Sequence, residues 1–431
     1  MKNALIVLLV ASALSWAAST DGKYDVRAHG AGGAAETDDT AAIQAAIQAA
    51  EGDGGGRVTI APGRYVITSP LVVKGRVWVE GSGPDLTFIV NRGDEGAVIF
   101  DFRGLGGALT RGAGIRGLSV VAGSVDSLAK DGNAGTGIEV REANHQFRIS
   151  DVVVKNHYTG IALEDCWYAH VDTTTVWAAR MTGIRVKGGG SNKITNSTMS
   201  NQSTSGVEEE RSAGLAYLSG GGLDVANVHA LQFGYGLMIA PAAGESALYG
   251  SFTQFSGDTN RLGGCMVDGS AVSAKVYSMR FTNSWCAYNG FEGGRFAQGA
   301  AGLHVRGAGV DTVIFTGGAL RENGGHGAFI EGGTNVILSN NEVTANGNAQ
   351  SLGYSGVRIG AGVVGVQVQG NRVGRFATVQ LGQTACGVSV GAGADQLMIM
   401  GNDLRGNAAA LCGSAASSET RRIADNLPLG P

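Results

Sequence analysis

The sequence predicts an all-β fold, a single-stranded parallel β-helix (a solenoid of about 12 coils) with a helix capping its N-terminal end. Three observations lead there. A glycine-started strand recurs along most of the chain. Glycine reaches 72 of 431 residues, where an ordinary protein holds about 7%. One amphipathic helix stands ahead of all the repeats. Hydrophobic residues make up 43%, enough for a large core cut into short pieces. Charged residues are only 16%, the net charge is −4, and lysine and arginine form no block. Neither nucleic acid nor an anionic membrane surface is therefore an expected partner.

Taken in order, residues 1–17 read as a secretory signal peptide. Lys2 precedes an apolar run from Ala4 to Leu14, and Ser15 and Ala17 are small residues flanking Trp16 at a cleavage site. The run is too short to span a bilayer comfortably, so the expected product is soluble, and secreted or periplasmic after cleavage. Residues 18–53 form an N-terminal strand and the capping helix "TDDTAAIQAAIQAA" (37–50). Thr37 is expected to cap this helix and Asp38 and Asp39 to meet its dipole. Ile43, Ala46, Ile47 and Ala50 form one apolar face, with Gln44 and Gln48 facing away. The open end of a solenoid exposes strand edges that invite association, and a helix in this place covers one.

Residues 54–431 form the β-helix. "GAFIEGGTNVILSNNEV" from Gly327, "GVRIGAGVVGVQVQGNRV" from Gly356 and "GVSVGAGADQLMIMGNDL" from Gly387 superpose almost without adjustment. The opening unit recurs upstream as "GIEV" at Gly137, "GIAL" at Gly160, "GIRV" at Gly183 and "GLHV" at Gly302, among others. Short alternating strands joined by turns too short for a crossover helix can run parallel only by winding, each coil stacked on the last. In register, Val336, Val366 and Leu397 form one apolar column and Leu338, Val368 and Ile399 another, while Asn341, Asn371 and Asn402 form an asparagine ladder with a structural role. The longest insertions fall at about 188–213 and 268–301. Five cysteines include two pairs, Cys265 with Cys286 and Cys386 with Cys412, whose spacings suit one turn of the repeat; buried free thiols are the alternative.

"YDVRAHGAGGAAETDDTAAIQAAIQAA" (24–50), "GGGRVTIAPGRYVI" (54–67) and "VEGSGPDLTFIV" (79–90) together resemble the N-terminal region of the pectate-lyase superfamily of right-handed parallel β-helices. That superfamily includes rhamnogalacturonase-type hydrolases, alginate epimerases and phage tailspike depolymerases. The resemblance implies the fold and a carbohydrate ligand, and names no reaction. The chain departs from the polygalacturonase pattern, whose coils carry catalytic aspartates before the glycine: here Thr136, Thr159, Thr182, Ala213, Tyr235 and their successors fill that column. Gly325-His326-Gly327 keeps a Gly-His-Gly, but the Arg-Ile-Lys lacks its lysine at Gly356-Val357-Arg358-Ile359, and the epimerase "Y-x-D-P-H" is absent.

The outward residues of the coils carry the remaining chemistry. Arg141, Glu164 and Lys187 are expected to stack on successive coils with Glu139, Asp165 and Arg185 alongside. Trp167, Tyr168, His170, Asp172 and Trp177 lie close in sequence. Glu164, Asp165, Lys187 and Arg141 are the catalytic candidates, and the others, with Glu139 and Arg185, the substrate-binding ones. Carboxylates meet hydroxyls, aromatic faces meet sugar rings, and basic groups meet a uronate carboxylate. Salt-bridged, solvent-facing sheet is the structural alternative for the charges. His304, Arg306, His326 and Glu331 form a second cluster. No cofactor is expected; calcium is the one metal the acidic residues leave open, without a recognisable loop. The first expectation is an exported enzyme cleaving an acidic polysaccharide, as lyase or glycoside hydrolase, in a groove along the rod. The alternative is a non-catalytic, tailspike-like carbohydrate-binding or adhesin β-helix. Oligomeric state stays open between monomer and homotrimer.

Overall fold

A computed structural model describes residues 22–93, 99–104, 112–126, 135–201, 212–292, 295–375 and 384–427, so the expected signal peptide lies outside the described residues. Each coil gives one short strand to a front sheet of 13 parallel strands, running from Leu71–Lys74 to Ala409–Gly413. The rest of the coil enters a 22-stranded sheet that wraps the other two sides of the rod. The glycine that opens a front strand is required by stacking: a Cβ on Gly160 would meet the Val176 side chain at 2.5 Å and the Gly183 carbonyl at 2.6 Å.

The side strands are longer than the short strands the sequence predicts. Ser246–Asp258 runs 13 residues without a break, because one left-handed residue at each corner, Tyr249 and then Gln254, bends it without ending the pairing; Gln254 turns it from one side onto the next. Asp151, Thr173, Asn196, Asn227 and Gln254 hold this position on successive coils, with φ between 48° and 54°. A second left-handed column turns the chain from the front sheet onto the first side and includes Tyr168, Ser191, Gly222 and Tyr249.

The interior is built from ladders. Val336, Val366 and Leu397 pair in register, as do Leu338, Val368 and Ile399. Phe252, Phe281 and Phe315 stack at 4.8 and 5.5 Å between ring centroids, each fully buried side chain stabilising the rod by about 1.5–3 kcal/mol. The Asn341–Asn371–Asn402 ladder forms through amide bonds of 3.0 Å and continues to Asn426. A second ladder, Asn260–Asn289–Asn323–Asn346, runs inside the corner between second side and front sheet; its unequal spacings of 29, 34 and 23 residues conceal it in the sequence.

The helix, α1 (Thr40–Gly52), starts later than the sequence suggests. Thr37 and Asp38 belong to the preceding strand Ala34–Asp38, and Asp38 accepts from the Thr40 N–H at 2.9 Å. Ile43, Ala46, Ile47 and Ala50 are buried against the first coil as expected. Gln44 does not face away. Its amide donates to the Val72 carbonyl and accepts from the Val72 N–H, both at 2.9 Å, while Glu51 accepts from the Lys74 N–H at 2.5 Å. The strand Leu71–Lys74 is the front-sheet edge, so α1 both buries the end of the core and satisfies the edge amides.

Both cysteine pairs form disulfides, Cys265–Cys286 and Cys386–Cys412. Cys166 is a buried thiol whose pKa burial pushes up to about 12.

Candidate functional site on the front sheet

Two columns of outward side chains run along the front sheet. One includes Glu139, Ala162 and Arg185 and, further on, His304, Phe329 and Arg358; the other includes Arg141, Glu164 and Lys187, then Asp268 and Arg306. Glu139 is buried and bonded to Arg141. Glu164 accepts from Arg185 at 2.7 Å, and Lys187 lies 3.5 Å from Glu245. These charges are therefore already engaged with protein partners.

The rest of the upstream candidates spread around the coil instead of converging on Glu164. Asp165 is exposed in a left-handed turn, φ 52°. Trp167 and Tyr168 follow it at the corner, about half exposed, with the His145 ring stacked on Tyr168 at 5.1 Å. His170 and Asp172 lie on the first side, joined through Thr195: its hydroxyl is 2.8 Å from His170 Nε2 and donates to Asp172 at 2.5 Å. Burial pushes His170 below its ordinary value. Burial would raise the Asp172 carboxyl, but the donors Thr195, Asn196 and Thr173 hold it below the usual range. Trp177 stands on the second side between Lys155 and Ser200.

Past Lys187 the front face turns apolar. Ala213, Ala216, Met238 and Met266 are buried along it, and four strand steps, about 19 Å, separate the Arg185 strand from the His304 strand.

The downstream cluster does converge. His304 Nε2 is 2.8 Å from the Glu331 carboxylate. Phe329 is held between the His304 ring on one neighbouring coil, 4.8 Å away and nearly parallel, and the Arg358 guanidinium on the other, 5.9 Å from its centroid. Arg306 donates to Asp268 at 2.7 Å. Burial alone would raise the Asp268 carboxyl, but Arg306 and Ser270 bonded to it hold it below the usual range. Burial pushes His304 below its ordinary value against the opposing pull of Glu331, so its imidazole is neutral at neutral pH. A carboxylate partner on Nε2 fixes the proton there and leaves Nδ1 as the basic nitrogen.

His326 joins this cluster as a positioning residue. Its Nδ1 accepts from the Ser355 N–H at 2.9 Å, its ring meets Phe329 at 5.3 Å and Tyr354 at 5.1 Å, and burial pushes its pKa down to about 4. Sequence reasoning did not select Asp268, Phe329, Tyr354 or Arg358 as site residues. Phe329 and Arg358 occupy the same outward column as His304, which is the signal that finds them. Among the described residues no group of three or more His, Cys, Asp or Glu side chains is placed to hold a metal ion.

A family model described as a right handed beta helix region matches residues 136–248. This chain is a right-handed parallel β-helix protein. Among solved structures, the A-module of the Azotobacter vinelandii mannuronan C-5 epimerase AlgE6 superposes on the β-helix with a TM-score of 0.53 at 16% identity, over 95% of this chain and 99% of that one. Tailspike protein 3 of bacteriophage CBA120 does so with a TM-score of 0.65 at 13% identity, over 94% and 62%. At such identities the likeness is one of fold. Alginate lyase 7 of Azotobacter vinelandii is 40% identical over 74 residues, a match that spans 16% of this chain and only 9% of that protein.

Proposed function

We propose that this β-helix binds an acidic polysaccharide along its front face and cleaves it by β-elimination at the downstream cluster. The observation that carries the reading is the neutral His304, 2.8 Å from Glu331, with Arg358 two coils on in the same outward column, across Phe329. An arginine neutralises the uronate carboxylate, which acidifies the adjacent C–H. His304 Nδ1 takes that proton, the electron pair forms the C–C double bond, the glycosidic C–O bond breaks, and the departing oxygen takes a proton from solvent. Hydrolysis is less well supported, because it needs two carboxyl groups free to act on the glycosidic bond, and Asp268 and Glu331 are bonded to Arg306 and His304. The names of two compared proteins, an alginate lyase and a mannuronan epimerase, favour a polyuronate as the first substrate to try.

Export fits this reading. The apolar N-terminal run and the two disulfides both suit a chain that matures in an oxidising compartment. A monomer on light scattering is expected; a stable trimer would favour the tailspike-like alternative.

The test incubates the mature protein with alginate, pectin and hyaluronan while following the ultraviolet absorbance of unsaturated product. His304→Ala should lower turnover by roughly 10²–10⁴-fold, and Glu331→Gln should lower it too by removing the negative charge that raises the basicity of the imidazole. Activity should fall on the acid side as His304 protonates, at a pH below the ordinary histidine value. Full turnover in both variants would overturn the assignment. Polymer binding with no product from the wild type would favour the non-catalytic reading.

A further inference from the structure

Six aromatic side chains stand exposed among the described residues, and four of them, Trp167, Tyr168, Tyr249 and Tyr277, gather on one ridge, at the corner where the coils turn from the front sheet onto the first side. Tyr168 and Tyr249 hold the same position of that corner. Ser191 and Gly222 occupy it on the two coils between them, so the tyrosines are three strand spacings apart, about 14 Å along the rod.

That position is left-handed, with φ 60° at Tyr168 and 55° at Tyr249. Bulky side chains are disfavoured there, and most other coils fill it with a smaller residue, Ser191, Gly222, Ser278, Thr312, Asn335 or Gly365, His145 and Gln396 being the larger ones. Folding therefore gains nothing from tyrosine at these two corners, and both rings point into solvent, 50% and 59% exposed. Strain kept at exposed positions points to a use outside the fold. The rings are also braced. His145 stacks on Tyr168 with 11° between the planes, and Tyr277 meets Tyr249 edge-to-face at 5.6 Å.

Charge says what the ridge would hold. Two residues past the corner, a single outward column on the first side carries Arg148, Lys193 and Arg280, all exposed and without an ion-pair partner among the described residues. Asp224 is the only acid between them. An aromatic row beside a basic row suits a chain of sugar rings bearing carboxylates.

We propose that this ridge is a non-catalytic binding site for an acidic polysaccharide, the sugar rings stacking on Tyr168 and Tyr249 and the carboxylates meeting Arg148, Lys193 and Arg280. The inference rests on the polysaccharide reading above but uses none of the His304 cluster. Native gel electrophoresis of the full mature chain through alginate, polygalacturonate or hyaluronan reads it directly. Tyr168→Asn/Tyr249→Asn places at both corners a residue that tolerates the left-handed conformation. The double variant should keep or raise its Tm, lose about tenfold in retention, show a raised KM for long polymer, and keep kcat on short oligosaccharides. His304→Ala should lose turnover and keep retention. Unchanged retention in the double variant would overturn the ridge and leave the front-face reading standing. A wild-type protein retarded by none of the three polymers would also overturn the ridge, and product formed by that same protein would still uphold the front-face reading.

Discussion

His157 and His326 make the fold acid-labile by a calculable amount. They are 2% and 9% exposed, and burial pushes each down to about 4, whereas a histidine in the unfolded chain titrates near 6.5. Above pH 6.5 both states are neutral at these sites and the contribution is constant. As pH falls from 6.5 towards 4, the unfolded chain takes up protons that the folded chain excludes, so stability is lost at about 1.4 kcal/mol per pH unit for each histidine. At pH 5 that amounts to about 2 kcal/mol each, about 4 kcal/mol for the pair. Urea unfolding at pH 7 and pH 5 measures it. His157→Asn keeps a donor for the Val120 carbonyl, and His326→Asn keeps an acceptor for the Ser355 N–H at 2.9 Å. Each substitution should shrink the pH 7 to pH 5 difference by about 2 kcal/mol. An undiminished difference in the double variant would refute the reasoning.

Two further outcomes test the architecture. Asn323→Ala removes an amide that donates to the Cys286 carbonyl and to Asn346 and accepts from both the Asn289 N–H and its side chain; with those groups left buried and unpaired, the loss should be about 3 kcal/mol or more by urea unfolding. Gln44→Ala strips the front-sheet edge of its cover, and hydrogen exchange at the Val72 amide should accelerate at a stability cost of about 1–3 kcal/mol.

The coil architecture was legible because stacking repeats its demands. A glycine is forced wherever a Cβ would strike the next coil, and an apolar residue recurs wherever the chain points inward, so Gly160 and Val366 announce themselves by spacing alone. The ladder at Asn341 was legible for the same reason. Its counterpart at Asn289 was not, since the coils around it carry the 268–301 insertion and lose their common length. The helix start slipped because Thr37 and Asp38 have the chemistry of a cap, yet pairing with Arg64–Val66 draws them into a strand. Gln44 was misjudged because nothing in a helical pattern shows that a strand edge lies beside it. Trp167 to Trp177 looked like one site because they are near in sequence, and eleven residues here turn a corner and cross a whole side of the rod.

On the rod axis the two proposed sites are consecutive. The ridge runs from the coil of Tyr168 to the coil of Tyr277, and His304 lies on the very next front strand. The strand of Arg185 and the strand of His304 are four spacings apart, about 19 Å, and the outward column between them is filled by small or apolar side chains, Ala216, Met238 and Met266, that offer a polyuronate no charge to hold. A polymer lying along the rod therefore finds its grip on the corner and its reacting groups at the far end of the face. That division requires the ridge to act on polymer binding alone: shortening the substrate below the span from Tyr249 to His304 should abolish the effect of the tyrosine substitutions on turnover while leaving that of His304→Ala intact.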